Sequence, residues 1–330
     1  MIDAVEDIKE RLAVYEGDIA EIKSILRKMS EQNKDFKERL VHIEDKENEF
    51  FGISDRLSRE LVLDSSKRDV RVHYIRSVDW HNAGDMACNP YDYFSELKRY
   101  HSIIHDWKEI DWNLISKNDV IILGGGGLFN CTDDLQRTII KLLDICENVI
   151  SWGCGFNTHY DRSIKDEIQF EKFKVCSVRD YKFKGFEYVP DVSCMMKELS
   201  ETYVKKRNVG VIEHLAFPIN GFEGYEKISN RFALDVVIGF IGESENIITN
   251  SWHCAYWSKL MGKKVVLYRP FSDKFERFEN GIIVYSGNLE NDLTRATVDD
   301  DMLIKCRRIN CDFMRRVVRF IETVRDANGG

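Results

Sequence analysis

The chain has 330 residues, 43% of them hydrophobic and 12% aromatic, which fits a folded globular protein and excludes disordered and collagen-like classes. Its net charge of −8 is concentrated in residues 1–66, which hold 11 Lys/Arg against 17 Asp/Glu and leave 37 against 39 for the remainder; a nearly neutral body without a basic face implies no nucleic-acid partner. No apolar run approaches the roughly 20 residues of a membrane span, and the acidic start MIDAVEDIKE is unlike a secretory signal, so a cytoplasmic protein is expected.

Reading from Val5 in steps of three and four places Val5, Leu12, Ile19, Leu26, Asn33, Leu40 and Glu47 at position a and Ile8, Tyr15, Ile22, Met29, Phe36, Ile43 and Phe50 at position d. Twelve of these fourteen are apolar, which predicts a coiled coil over residues 1–50 and a homo-oligomer held through residues 5–50. Arg11 with Glu16, Asp18 with Lys23 and Arg39 with Glu44 attract across a parallel, in-register partner, and Asn33 at an a site fixes that register. Residues 51–68 read as a short helix and polar linker.

Residues 69–200 alternate strand and helix and predict an N-terminal Rossmann-like domain. A strand at 70–75 leads to HNAGDMACNPYDYF, where Asn82, Gly84 and Asp85 form a turn. A strand at 119–123 runs straight into Gly124, Gly125, Gly126 and Gly127, whose bare backbone offers amides to an anion. That run is neither GxGxxG nor a Walker loop, so no dinucleotide, ATP or other cofactor is expected. A helix at 133–146, a strand at 148–152, the turn GCGFN, a helix at 162–173 and a strand at 175–178 follow. Arg179 then stands at a strand's carboxyl end, either gripping a carboxylate or phosphate in two bonds or pairing with an Asp to staple a loop. Asp191 follows in YVPDVSC. The nine cysteines form no CxxC pair and are odd in number, so neither a metal site nor a complete disulfide framework is expected.

Residues 201–330 repeat the alternation as a C-terminal Rossmann-like domain, with a strand at 208–212 and a helix around 225–240. NIITNSWHCAYWSKLMGKKVVLYRP then reads as strand, helix at 251–261, the stop Gly262 and strand at 265–268. Asn250, Ser251 and His253 thereby fall at a strand's carboxyl end and a helix N-terminus, where parallel sheets bind ligands. A helix from about Asp299 to Arg325 closes the chain. It carries Met302, Cys306, Ile309, Phe313, Val317, Phe320 and Val324 on one face and Arg308, Arg315 and Arg319 on another; it either packs on the body or rests on an anionic membrane surface.

Taken in order, NAGD and NPY at 82–91, GGGGLF at 124–129, SWGCGF at 151–156, SVRD at 177–180, PD at 190–191, TNSWH at 249–253 and DKFERF at 273–278 resemble the polysaccharide pyruvyl transferase family over roughly residues 72–290. The resemblance implies two Rossmann-like domains of GT-B type, phosphoenolpyruvate as donor, and as acceptor a sugar diol of a bacterial surface polysaccharide or its lipid-linked precursor, with at most peripheral contact at the inner face of the membrane. It implies Arg179 as a donor-anion contact and His253 as general acid/base. Many members carry Arg-Leu-His where this chain has Ser251-Trp252-His253, and an Arg near the position of His214. The amides of Gly125, Gly126 and Gly127, with Asn250 and Ser251, then hold donor charge. Asp85 or Asp191 deprotonates an acceptor hydroxyl, or else caps a loop as Asn82 does. Two other classes share this outline: a GT-B glycosyltransferase using a nucleotide sugar, and a non-catalytic coiled-coil scaffold.

Overall fold

Among the described residues eleven strands form two all-parallel sheets, six-stranded in the order β2-β1-β3-β4-β5-β6 and five-stranded in the order β11-β10-β9-β7-β8. They are seen in a computed structural model that describes residues 70–79, 81–160, 167–278 and 281–328; the heptads of residues 1–50 lie outside these. The described residues belong to one compact unit, Ser66–Gly330. The expected α/β class with parallel Rossmann-like sheets is therefore found.

The first sheet comprises β1 (Arg71–Arg76), β2 (His101–Asp106), β3 (Val120–Gly124), β4 (Asn148–Cys154), β5 (Val175–Val178) and β6 (Glu187–Tyr188). Strand β3, VIILG, is buried throughout, as a central parallel strand covered on both faces must be. One face packs against α2 (Asp133–Ile145), through Leu135, Ile139 and Leu142. This helix starts where Thr132 Oγ1 accepts from the Leu135 amide at 3.3 Å, with Asp133 and Asp134 suiting its positive end. The short α1 (Ala83–Met86) lies on the connection leaving β1.

The second sheet holds β7 (Arg207–Glu213), β8 (Glu226–Ser229), β9 (Ser244–Thr249), β10 (Lys264–Leu267) and β11 (Ile283–Val284), with α3 (Leu234–Gly242), α4 (Trp252–Leu260) and α5 (Leu289–Arg295). All nine residues of α4 are buried, so it runs through a core shared with α3 and with Met302 and Cys306. The last helix, α6 (Met302–Ala327), begins in that core. It then crosses to the first sheet, where Phe313, Val317, Ile321 and Val324 pack on Tyr74, Ile122 and Trp152. Its apolar stripe is thus taken up by core on both sheets, while Arg308, Arg315 and Arg319 are exposed. No helix among the described residues is long and apolar enough to cross a membrane.

Two elements depart from the sequence expectation. Residues 226–229 form a strand and not the start of a helix, because they pair with Gly210–Glu213 of β7. The polar edge strand β2, HSIIHD, was not expected; its pairing along all of β1 outweighs weak local alternation. Of the helix expected over 162–173, the described part is a single turn, Phe170–Lys172.

Candidate active site

Each sheet reverses its strand order once, between β1 and β3 and between β7 and β9. At such a switch point adjacent connections leave in opposite directions and open a crevice beyond the carboxyl ends of the strands. The NAGD turn and the glycine run follow β1 and β3; His214 and the Asn250–His253 turn follow β7 and β9. These segments meet. The Ala83 amide donates to the Asn230 carbonyl at 3.0 Å, and Asn230 Nδ2 donates to Asn82 Oδ1 at 3.2 Å.

At the meeting point four side chains converge. Arg179 Nη1 donates to Asp191 Oδ2 at 2.8 Å. His253 Nε2 lies 3.2 Å from the same oxygen, 3.2 Å from Arg179 Nη1 and 3.1 Å from Cys88 Sγ. Cys88 Sγ also approaches the Gly84 carbonyl at 2.8 Å. The remaining valences of Asp191 are filled by the Ser193 amide at 3.1 Å and hydroxyl at 2.7 Å on Oδ1 and by the Gly126 amide at 3.3 Å on Oδ2. Asp191 is fully buried, and Arg179 and His253 are only 5% and 7% exposed.

Glycine is required where these groups crowd. A Cβ on Gly84 would stand 2.1 Å from His253 Nδ1, and one on Gly155 2.4 Å from Arg179 Nε. The first glycine admits the imidazole and the second admits the guanidinium. Arg179 is stacked on the indole of Trp252 at 3.6 Å, with the contact typical of a weakly hydrated planar cation. Behind Asp191, Asn310 of α6 donates to the Pro190 carbonyl at 3.0 Å and accepts from Trp152 Nε1 at 2.9 Å, so the long helix fixes the loop that carries the carboxylate.

Burial alone would raise the Asp191 carboxyl, but the charge and hydrogen bond of His253, the Arg179 guanidinium and Ser193 outweigh it and hold the group well below the usual carboxylate range. The Cys88 thiol is pushed well up, by burial and then by the Asp191 charge, and stays protonated. His253 therefore has both an acceptor and donors at one nitrogen. With a proton on Nε2 it donates to Asp191; with Nε2 bare it accepts from Arg179 or from the thiol. A side chain that exchanges a proton with a substrate needs both states to be accommodated. Cys88, Asp191 and His253 also have the ligand types and proximity of a metal site. Arg179 already holds the same oxygen and nitrogen, however, so a cation there would face a guanidinium.

The expected site residues divide by position. His253, Arg179, Asp191 and Gly126 come together, and Gly125 allows the approach, since its Cβ would lie 3.3 Å from Asp191 Oδ2; Gly127 instead abuts Asn157. Arg179 thus pairs with an Asp as the loop-staple reading had it, with the partner at Asp191. Asn250 ties the β7 connection: Oδ1 accepts from the His214 amide and Nδ2 donates to the Phe217 carbonyl, both at 2.7 Å. Ser251 is buried and begins α4 without a side-chain cap bond. Asn82 caps the NAGD turn by accepting from the Gly84 amide at 3.1 Å. Asp85 is half-buried, its carboxyl raised by burial against the opposing charge of His253. Sequence reasoning missed Cys88, whose one signal was its place between NAGD and NPY.

The hollow lined by Arg179, Asp191 and Trp252 measures only about 10 Å³. A larger surface hollow of about 610 Å³ lies at Thr297–Asp301, away from these groups. No family model and no curated protein matches the sequence. Among solved structures the chain is similar to a functionally uncharacterised protein of Klebsiella pneumoniae subsp. pneumoniae NTUH-K2044, at 19% identity and a TM-score of 0.43, over 65% of this chain and 88% of that one.

Proposed function

We propose that the protein transfers a pyruvyl group, as a ketal, from phosphoenolpyruvate to a sugar diol of a bacterial surface polysaccharide or its lipid-linked precursor, in a cleft of GT-B type. The observation that carries this reading is the convergence of His253, Arg179 and Asp191 at the carboxyl ends of both sheets. The acceptor class places the reaction in the cytoplasm, with any membrane contact peripheral.

The chemistry asks for one proton donor and a cationic wall. His253 protonates C3 of the enol phosphate, C2 becomes electrophilic, and a first acceptor hydroxyl adds there. The C2–O bond to phosphate then breaks, and the second hydroxyl captures the resulting cation. One hydroxyl proton is balanced by the proton gained at C3, and the other leaves with phosphate. Arg179 stabilises the donor's negative charge. Asp191 is held ionised and already bonded on both oxygens, so it orients His253 and Arg179. Asp85, half-buried with a raised carboxyl, is the better base for an acceptor hydroxyl.

The nucleotide-sugar reading has one observation of its own. Phe217 and Phe271 stack at 4.2 Å beside the β7/β9 switch point, where a base could lie on an aromatic face. Titration of the purified protein with phosphoenolpyruvate and with nucleotide sugars, followed by phosphate release in the presence of saccharide acceptors, separates the two. Binding of a nucleotide sugar without binding of phosphoenolpyruvate overturns pyruvyl transfer, and binding of neither leaves the scaffold reading.

A further inference from the structure

The segment that follows β10 bridges the two sheets. His159 pairs with Ser272 in an antiparallel bridge, flanked by the Tyr160 amide on the Phe271 carbonyl at 3.3 Å and the Asp273 amide on the Thr158 carbonyl at 3.1 Å. Lys274 comes next and is only 9% exposed. Its backbone carbonyl accepts from Trp252 Nε1 at 3.1 Å, and the other side of that indole relation is Arg179, stacked on the same ring. The Lys274 ammonium lies 4.6 Å from the Phe271 ring and 5.2 Å from the Phe275 ring. It has no carboxylate within ion-pair distance among the described residues. The adjacent carboxylate, Asp273, is already taken, accepting from the Thr158 amide at 2.9 Å and from Arg277 at 3.2 Å.

A largely buried lysine with no carboxylate in contact is costly, and natural structures pair such groups or use them. Two buried groups of the same bridging segments lack partners: Ser272 Oγ and Asn157 Oδ1. Asn157 Nδ2 faces Cys131 Sγ at 3.4 Å, and its neighbour Thr158 accepts from the Asp273 amide, which puts Asn157 and Lys274 on paired segments. Exchanging the two ends of the Asn157 amide, which have the same shape, would turn an NH₂ inward and let the thiol donate to the oxygen. The neighbourhood then offers three donors, with the Asp85 and Asp273 charges acting on the ammonium from beyond contact distance.

We infer that Lys274, with Ser272 and Asn157, forms an anion pocket beside the Arg179–His253 cluster and takes a phosphate group. Its identification with the phosphate of the donor rests on the pyruvyl-transfer reading; the pocket itself does not. Burial, and then the Arg179 charge, push the Lys274 amine down to about 8, so an arriving phosphate that restores its proton also draws one from solvent at alkaline pH.

Isothermal calorimetry with inorganic phosphate and with phosphoenolpyruvate, on the wild type, Lys274→Met, Lys274→Gln and Lys274→Arg, tests the pocket, with melting curves taken without ligand. Met keeps the aliphatic packing and removes a buried unpaired charge. It is expected to melt higher than the wild type while binding phosphate at least about 10-fold more weakly, the loss of a charge-assisted hydrogen bond; Arg is expected to retain most of the affinity. Unchanged phosphate affinity in both Met and Gln variants, or no phosphate binding by the wild type at about 10 mM, a 1 mM dissociation constant being already weak, overturns the pocket. Phosphate binding that depends on Lys274 without any binding of phosphoenolpyruvate supports the pocket and overturns pyruvyl transfer.

Discussion

His253→Gln keeps hydrogen-bonding atoms beside Asp191 and Arg179 but removes the exchangeable proton. Under the proposed chemistry turnover should fall about 10²- to 10⁴-fold with donor affinity changed much less. Gly84→Ala acts on the same ring from outside the chemistry: its Cβ would sit 2.1 Å from Nδ1, so the imidazole must move, and a displacement on the order of 1 Å costs about 10²-fold in rate. Steady-state kinetics with matched melting curves checks both, and near-normal turnover in either folded variant removes His253 from the mechanism. A different histidine governs acid stability. His105, whose Nε2 lies 2.9 Å from His73 Nδ1, is pushed down from 6.5 to about 4 by burial and then by the His73 charge. Between those values the unfolded chain binds a proton that the native chain does not, so this contribution is intact above pH 6.5 and is lost as pH falls through the window. His214, lowered by burial and then by Lys274 to about 3, extends the loss further into acid. Urea melts at pH 7.5 and pH 5 should show the decline, and His105→Gln should shrink it; an unchanged difference excludes His105 as its source.

Among the elements, α6 is the one whose loss both sheets would register. Phe313 is 2% exposed and meets Trp152 edge-on at 5.1 Å, three residues after Asn310, which holds the Pro190–Asp191 loop. Phe313→Ala should cost about 3–5 kcal/mol through lost burial and the cavity left behind, measured by denaturant unfolding, and a loss under about 1 kcal/mol would mean that the helix repacks freely. The helix's amphipathic stripe was legible from spacing alone. That its first turns belong to one sheet's core and its later turns to the other's was not, because a 3.6-residue period states which face is buried and is silent on what covers it. Strand β8 makes the same point from the other direction: its residues carry little β signal, and pairing with β7 decided their conformation.

At the scale of the whole molecule, the two switch points bring the loops of both sheets to one place, and the hollow beside Arg179, Asp191 and Trp252 measures about 10 Å³. The heptads of residues 1–50 predict assembly through a parallel coiled coil. Deleting them should leave a folded, monomeric remainder by light scattering, whereas an unchanged oligomer would refute the coiled coil as the association element.

By itself the sequence determined the alternation of strand and helix, the glycine-rich strand ends, and the placing of His253 and Arg179 at carboxyl ends, because each of these is written in local period and turn chemistry. The tertiary structure alone decided partnership. It chose Asp191, twelve residues away, over the adjacent Asp180 as the carboxylate on Arg179. It brought Cys88 against His253 across 165 residues of chain, turned Asn250 into a backbone tie, and left Lys274 buried with no carboxylate in contact among the described residues. Such choices depend on which strand ends the crossovers bring together and on which groups water has left, and neither is carried by residues that are neighbours in the chain.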